Sequence, residues 1–343
     1  MKAVVLERPG GPENLKSVEL PDPKPGPGEV LLRVRACGIN HLDLWVREGL
    51  PAYKITLPHI LGCDVAGEIA ELGPGVSDFK PGDRVAVSPG RSCGACEFCS
   101  AGRESLCPEF HVIGADGGPG GYAERLVTPS RRLLPLAAGL SFEEAAAFPL
   151  TFLTAWHMLV TLARLRAGET ALVLGAGSGV AVAAVQIAKL CGATVIAAST
   201  SEPKLDKAKK LGADAGFLVG KGDFSRDLRR LTHGRMADVV FEHVGPAVFE
   251  SAIKSLRPGG RLVTCGATSG PEAKLDLRYV FSRELTVLGA RMGSQAEMRT
   301  VARLVNEGRL KPVVDRTFPL SQAADAHRYL AQKGQFGKVV LKV

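Results

Sequence analysis

The run ETALVLGAGSGVAVAAVQIAKLCGATVIAAST, residues 169–200, constrains the fold more than any other part of this 343-residue chain. It reads as an apolar strand, a glycine-rich turn, a helix and a second apolar strand. Strands made of Val, Leu, Ile and Ala without polar alternation are buried on both faces, which is the signature of a parallel sheet. The alternation then continues. PKLDKAKKLGA and DFSRDLRRLTHG have helical spacing, AGFLV and ADVVFEHVG read as strands, AVFESAIKSLRPGG is a helix, and RLVTCGA and LTVLGA close the series. The expected fold class is therefore α/β, with a doubly wound parallel sheet of the Rossmann type.

Residues 1 to about 130 look different. MKAVVLE, EVLLRVRACGI, DVAGEIAEL and DRVAVSP are short β-rich runs separated by Pro/Gly clusters such as PDPKPGPGE and GPGVSDFKPGD. From Ser141 the spacing turns helical, and Ser141 with Glu144 makes a capping box. The expected organisation is a β-rich domain over 1–130 and 290–343, with a dinucleotide-binding domain over 131–289. A chain of this length is too long for one comfortable core.

Inside the β-rich part, Cys93, Cys96, Cys99 and Cys107 form C-x2-C-x2-C-x7-C within a lobe at about 90–108. Thiolates at this spacing can close a tetrahedron around Zn²⁺. Four sulfur ligands leave no open position, so such a site holds a loop together and performs no chemistry. Disulfides are the competing reading. No secretory leader pattern is visible at the start of the sequence and no apolar run is long enough to span a bilayer, so reduced thiols, a cytoplasmic location and one structural zinc per chain are expected. Cys37, Cys63, Cys191 and Cys265 fit buried thiols. The formal charge of +8 is spread out, and its densest spots, 204–210 and 226–235, are interrupted or flanked by Asp206, Asp227 and Glu202. Solvated helix faces explain them better than a nucleic-acid surface.

Gly175, Gly177, Ser178, Gly179 and Val180 form the turn expected to cradle a dinucleotide pyrophosphate at a helix N-terminus, with Gly266 as a further contact. NAD-preferring folds place Asp or Glu at the end of the second strand to hold the ribose hydroxyls. Here that end reads Ser199-Thr200-Ser201, with Lys204 close behind and no carboxylate before Glu202. Ser199, Thr200 and Lys204 suit a 2′-phosphate, so NADP(H) is favoured and NAD(H) is the alternative.

Together, GEVLLRVRACGINHLDLWVREG, LPHILGCDVAGEIAELGPGVSDFKPGDRV, the four-Cys lobe, FPLTFLTAW, LVLGAGSGVAVAAVQIAKL and FGKVVL resemble the zinc-type medium-chain dehydrogenase/reductase superfamily over essentially the whole chain. The resemblance implies a GroES-like catalytic domain split across the termini, a Rossmann domain between, and an active cleft where the two meet. It also implies homodimers or homotetramers and a small-molecule substrate. The catalytic zinc of the family's alcohol dehydrogenases uses a Cys in a GxC turn, a His in a Gly-His-Glu motif and a Cys near a helix head. Here Asn40, Cys63 with Asp64, and Leu150 (or Thr151, one residue on) stand at those positions, and Leu42 replaces the proton-relaying hydroxyl. His41, His59 and His157 are read as ordinary surface or core histidines. The resemblance therefore points to a member with the structural zinc and without the catalytic one.

Without a Lewis acid, the expected acceptor is one that spreads incoming charge, a quinone or an α,β-unsaturated carbonyl. Asn40, Asp43, Tyr53 and Thr154 are the candidate catalytic residues: Asn40 and Tyr53 as donors, Asp43 as a supporting carboxylate, and Thr154 as a residue packing on the nicotinamide. An alcohol dehydrogenase with an improvised metal at Cys63 and Asp64 is one rival. A cofactor-binding protein without turnover is the other.

Overall fold

The computed structural model describes residues 1–220 and 222–343 and divides into two compact units, Met1–Leu150 with Ser294–Val343, and Thr151–Gly293. The boundary falls later than the expected residue 131. The strand Leu133–Pro135 pairs with Arg84–Val87, and Arg84 reaches across to the carbonyls of Ala137 and Ala138, which ties this segment to the first unit.

The first unit is built on the long strand Glu29–Ile39. It pairs antiparallel with Asp64–Leu72, Arg125–Pro129 and the C-terminal strand Lys338–Lys342, so the two ends of the chain meet in one sheet. Two register shifts break the pairing with Asp64–Leu72, which bends the strand. Gly38 permits the close approach of a neighbouring segment, since a Cβ there would sit 2.1 Å from the Ala146 carbonyl oxygen. Ser141 caps the turn Phe142–Ala145 as a capping box, as its spacing predicts. The helical run expected from Ser141 onward is interrupted before Pro149 and resumes over Pro149–Trp156.

The second unit is a six-stranded parallel sheet in the spatial order Ala215–Leu218, Thr194–Ser199, Thr170–Val173, Ala237–Glu242, Leu256–Thr264, Thr286–Gly289. The order reverses on either side of Thr170–Val173, the first strand in sequence, and this reversal is the switch point of a doubly wound sheet. The central strands are buried throughout, as their unbroken apolar sequences require. One face packs Leu172, Ile196, Phe217, Leu228, Val240 and Leu262 into a common core. Among the described residues no helix is long and apolar enough to cross a membrane.

Candidate active site

The four-Cys lobe forms from two glycines and a short strand pair. Gly94 and Gly102 take left-handed backbone (φ +80° and +68°), which lets the chain fold back on itself twice. Gly90–Arg91 pairs with His111–Val112 and closes the base of the lobe. The four sulfurs lie within 4.8 Å of one another, with Cys93 to Cys99 at 3.8 Å and Cys107 to Cys93 at 3.5 Å. A zinc tetrahedron with bonds of about 2.3 Å has edges of about 3.8 Å, so the donor set fits Zn²⁺. These separations are far beyond a disulfide bond, and all eight cysteines are free thiols. The backbone N–H groups of Ala95 and Cys96 donate to Cys93 Sγ and pull its thiol down to about 6, toward the thiolate a metal needs. Among the described residues no other group of three or more Cys, His, Asp or Glu converges in this way.

In the second unit the glycine turn connects Thr170–Val173 to the helix Gly179–Leu190. Gly175 is left-handed at φ +61°. The Ala176 N–H donates to the Ala198 carbonyl at 3.0 Å, which stitches the turn to the end of the second strand. Ser178 caps the helix, accepting from the Ala181 N–H at 3.1 Å. Gly177 is buried, while Gly179 and Val180 are half-buried at the helix start. This is the kind of cradle a pyrophosphate requires: glycine-rich backbone at the N-terminus of a helix. When bound there, a nicotinamide dinucleotide supplies or accepts a hydride.

Sequence reasoning missed two residues that brace this turn. His243 Nε2 lies 3.0 Å from Ser178 Oγ and 3.1 Å from the Leu174 carbonyl oxygen, and a Cβ on Gly175 would meet it at 2.9 Å. Burial lowers the His243 pKa, with the neighbouring Glu242 charge opposing the shift. Glu242 is fully buried at the end of its strand and accepts from the Val244 and Gly245 N–H groups and from Thr264 Oγ1. It fixes the loop that carries His243 against the strand leading to Gly266. The only local signal was the EHVG ending of a buried strand, where a carboxylate and an imidazole need partners.

At the second strand end, Ser199 is buried and its Oγ accepts from the Ser201 N–H at 3.2 Å, whereas Thr200 is exposed and Lys204 is half-buried in the first turn of the helix Glu202–Lys210. Ser199 thus shapes the turn, and Thr200 and Lys204 are the groups nearer solvent. Thr154 is buried in the helix Pro149–Trp156.

In the first unit, the strand Glu29–Ile39 ends at Asn40, which begins the helix His41–Glu48. Asp43 Oδ2 accepts the Asn40 N–H at 2.7 Å and Asp43 Oδ1 accepts the Gly62 N–H at 3.0 Å. It is buried, and desolvation raises its pKa to about 7 against these hydrogen bonds. Asp43 therefore braces the turn from beneath.

Asn40 sits in a closed polar cluster. Its Nδ2 donates to Asp64 Oδ2 at 2.9 Å and lies 3.4 Å from Cys63 Sγ. Its Oδ1 accepts from Lys338 Nζ at 2.5 Å, and the same ammonium donates to the Ile39 carbonyl at 2.8 Å and to Asp64 Oδ2 at 2.9 Å. Asp64 Oδ1 accepts the Leu150 N–H at 2.8 Å. The side chains of Lys338 and Asp64 are 4% and 0% exposed. Burial pushes the Cys63 thiol well above its ordinary value, and the Asp64 and Asp43 charges add to this. The Asn40 amide, expected as a free donor, thus has its N–H groups turned toward Asp64 and Cys63. Tyr53 is half-buried in the loop after that helix. His59 is engaged in a strand pair with Leu6, and His41 packs near Trp45 at the helix surface.

A second zinc does not fit these residues. Such an ion needs about three available ligand atoms and an open position. Asn40 Oδ1 and both oxygens of Asp64 already accept hydrogen bonds, Cys63 Sγ accepts from the Asn40 amide, and Leu150 contributes its backbone N–H.

Comparison with known proteins agrees with this geometry. Residues 26–138 match the alcohol dehydrogenase GroES-like domain, and residues 179–307 match the zinc-binding dehydrogenase domain. The chain is 31% identical to an acryloyl-coenzyme A reductase from Sulfurisphaera tokodaii and 36% identical to an alcohol dehydrogenase from Geobacillus stearothermophilus, with full coverage of each chain in both cases. A solved structure described as an NAD-dependent alcohol dehydrogenase superposes with a TM-score of 0.97 at 49% identity, again over the whole of both chains. The chain belongs to the zinc-type medium-chain dehydrogenase/reductase superfamily and is an NAD(P)-dependent oxidoreductase.

Proposed function

We propose that this protein reduces electron-poor alkenes conjugated to a carbonyl, by direct hydride transfer from NADPH and without a catalytic metal. One observation carries the reading: the family's catalytic-metal positions hold Asn40, Cys63 and Leu150, and the Asn40 amide is tied up with Asp64, Lys338 and Cys63. Hydride addition to an isolated ketone concentrates charge on one oxygen, which then needs a strong electrophile. Addition to an enone or enoyl thioester spreads the charge into an enolate, which weaker donors stabilise. The full-length relative named acryloyl-coenzyme A reductase supports the enoyl thioester class. Quinones share the same electronic demand and form the second acceptor class. Tyr53 and Thr154 are the proposed groups nearest the chemistry. Asn40 and Asp43 act by holding the turn.

NADPH preference is proposed from the second strand end, where Thr200 and Lys204 stand with no carboxylate at 199–201. The free thiols suit a reducing cytoplasmic compartment. A homo-oligomer is proposed through the sheet edge Thr286–Gly289. That edge strand exposes Val287 at 40%, and the preceding helix Leu277–Ser282 exposes Phe281 and Leu277 at 72% and 67%, apolar surface that association would cover.

The test is an acceptor panel with NADPH and NADH, comparing acryloyl and crotonyl thioesters, simple enones, benzoquinones, plain ketones and primary alcohols. The proposal expects conjugated acceptors to turn over with NADPH in the presence of a mild chelator. Oxidation of plain alcohols at a comparable rate overturns it.

A further inference from the structure

His243 follows directly on the strand Ala237–Glu242, which pairs in parallel with Thr170–Val173 and so ends beside the glycine turn. The Leu174 N–H donates to the Phe241 carbonyl at 3.1 Å and locks the two strand ends together. The His243 ring is buried there, with Nε2 3.1 Å from the Leu174 carbonyl oxygen and 3.0 Å from Ser178 Oγ. A carbonyl oxygen only accepts, so Nε2 carries the ring proton. The opposite tautomer would set two lone pairs against each other out of reach of water. The imidazole N–H is thus a three-centre donor, shared between Leu174 and Ser178.

This assignment fixes the Ser178 hydroxyl. The Ala181 N–H donates to Oγ at 3.1 Å from inside the helix, and His243 donates to it from beside the turn. A serine hydroxyl has two lone pairs and one proton. With both lone pairs filled, the proton is what remains, and among the described residues no acceptor takes it.

We propose that His243 is a positioning residue for the dinucleotide: it holds Ser178 as a one-way donor whose hydroxyl proton is kept for the pyrophosphate, a role that rests on residues 175–180 being the dinucleotide turn. Gly179 and Val180 open the helix, and N–H groups at those positions have no intrahelical partner. The Ser178 O–H stands next to them in sequence as a third donor. Its bond to a phosphate oxygen is charge-assisted and stronger than a neutral one. Without the imidazole N–H the hydroxyl is free to rotate, and the carbonyls of the turn compete with the pyrophosphate for its proton. A Cβ on Gly175 would meet Nε2 at 2.9 Å, so replacing that glycine destroys the same contact.

The test is fluorescence titration with NADPH and with NADH, which reads affinity and needs no acceptor. The forms compared are wild type, Ser178→Ala, His243→Gln, His243→Leu and the double variant Ser178→Ala/His243→Leu. Gln keeps an N–H donor at about the reach of Nε2, whereas Leu keeps apolar volume and no donor. Ser178→Ala should weaken binding about tenfold, the worth of one hydrogen bond to a charged group. His243→Leu should weaken it about fivefold, and His243→Gln should stay within about twofold of wild type. The pyrophosphate is common to both dinucleotides, so NADPH and NADH should lose alike. In the Ser178→Ala background, His243→Leu should change affinity by less than about twofold, because the hydroxyl it positions is already gone. A histidine that merely supported the fold would weaken both backgrounds equally, and that result overturns the proposal. So does a Ser178→Ala variant that binds as tightly as wild type, which decides the matter even where His243→Leu does not fold. A wild type that binds neither dinucleotide removes the site itself, and the proposal with it.

Discussion

Replacing Lys338 by Met tests how much the buried charge cluster contributes to folding. The substitution keeps most of the aliphatic volume and deletes the ammonium, leaving Asp64 wholly buried. Removing one partner of a buried ion pair typically costs about 3–5 kcal/mol, because the remaining charge stays desolvated. Asp64 would still accept from Asn40 Nδ2 and from the Leu150 N–H, at 2.9 and 2.8 Å, so the lower end, about 3 kcal/mol, is expected. For a unit of this size that corresponds to a fall in Tm of roughly 6–12 °C. Adding Asp64→Leu removes the stranded carboxylate, and the double variant should recover most of the loss. The assay is thermal unfolding, followed by circular dichroism, of wild type, Lys338→Met and the double variant, each holding one zinc per chain, with urea titration of the same three forms as a cross-check. A loss below about 1 kcal/mol for Lys338→Met, or a double variant no more stable than the single, would refute the reasoning.

Other outcomes follow from the same structure. His327 is buried, and desolvation followed by the adjacent Arg47 charge lowers its pKa to about 3. The unfolded chain then binds a proton near pH 6.5 that the folded chain refuses, so stability should fall as pH drops from about 6.5 toward 3, by up to about 1.4 kcal/mol per pH unit. His327→Gln should flatten that slope in urea titrations at several pH values. Gly175→Ala places a Cβ 2.9 Å from His243 Nε2 on a left-handed backbone. It should weaken NADPH binding about tenfold or more by fluorescence titration, with His243→Ala restoring part of the loss. Cys99→Ser should reduce zinc from one equivalent per chain to near zero and expose residues 90–108 to protease.

Much of the fold was legible because its signals are local. Unbroken apolar strands announce a two-sided parallel sheet, and the Ser141–Glu144 pair announces its own capping box. The four-Cys lobe was legible because sulfur spacing alone places four ligands around one point. The domain boundary was less so, since the composition shift near residue 131 does not reveal that Leu133–Pro135 pairs with a distant strand. Lys338 and His243 were invisible for the same kind of reason. Lys338 stands 298 residues from Asn40 in sequence, and only the antiparallel pairing of the two strands brings them together. The reading of Asn40 shows what is lost without contacts. Sequence placed the residue correctly in its turn, but the direction of its amide depends on a lysine from the far end of the chain.

The account rests on hydride transfer that proceeds with the four-Cys zinc as the chain's sole metal. The direct measurement is the rate of NADPH-dependent reduction of a conjugated acceptor as zinc is added to protein holding one equivalent per chain. A rate that is already maximal at one equivalent, and unchanged by further zinc, is the predicted result. A rate that climbs as a second equivalent binds would contradict it.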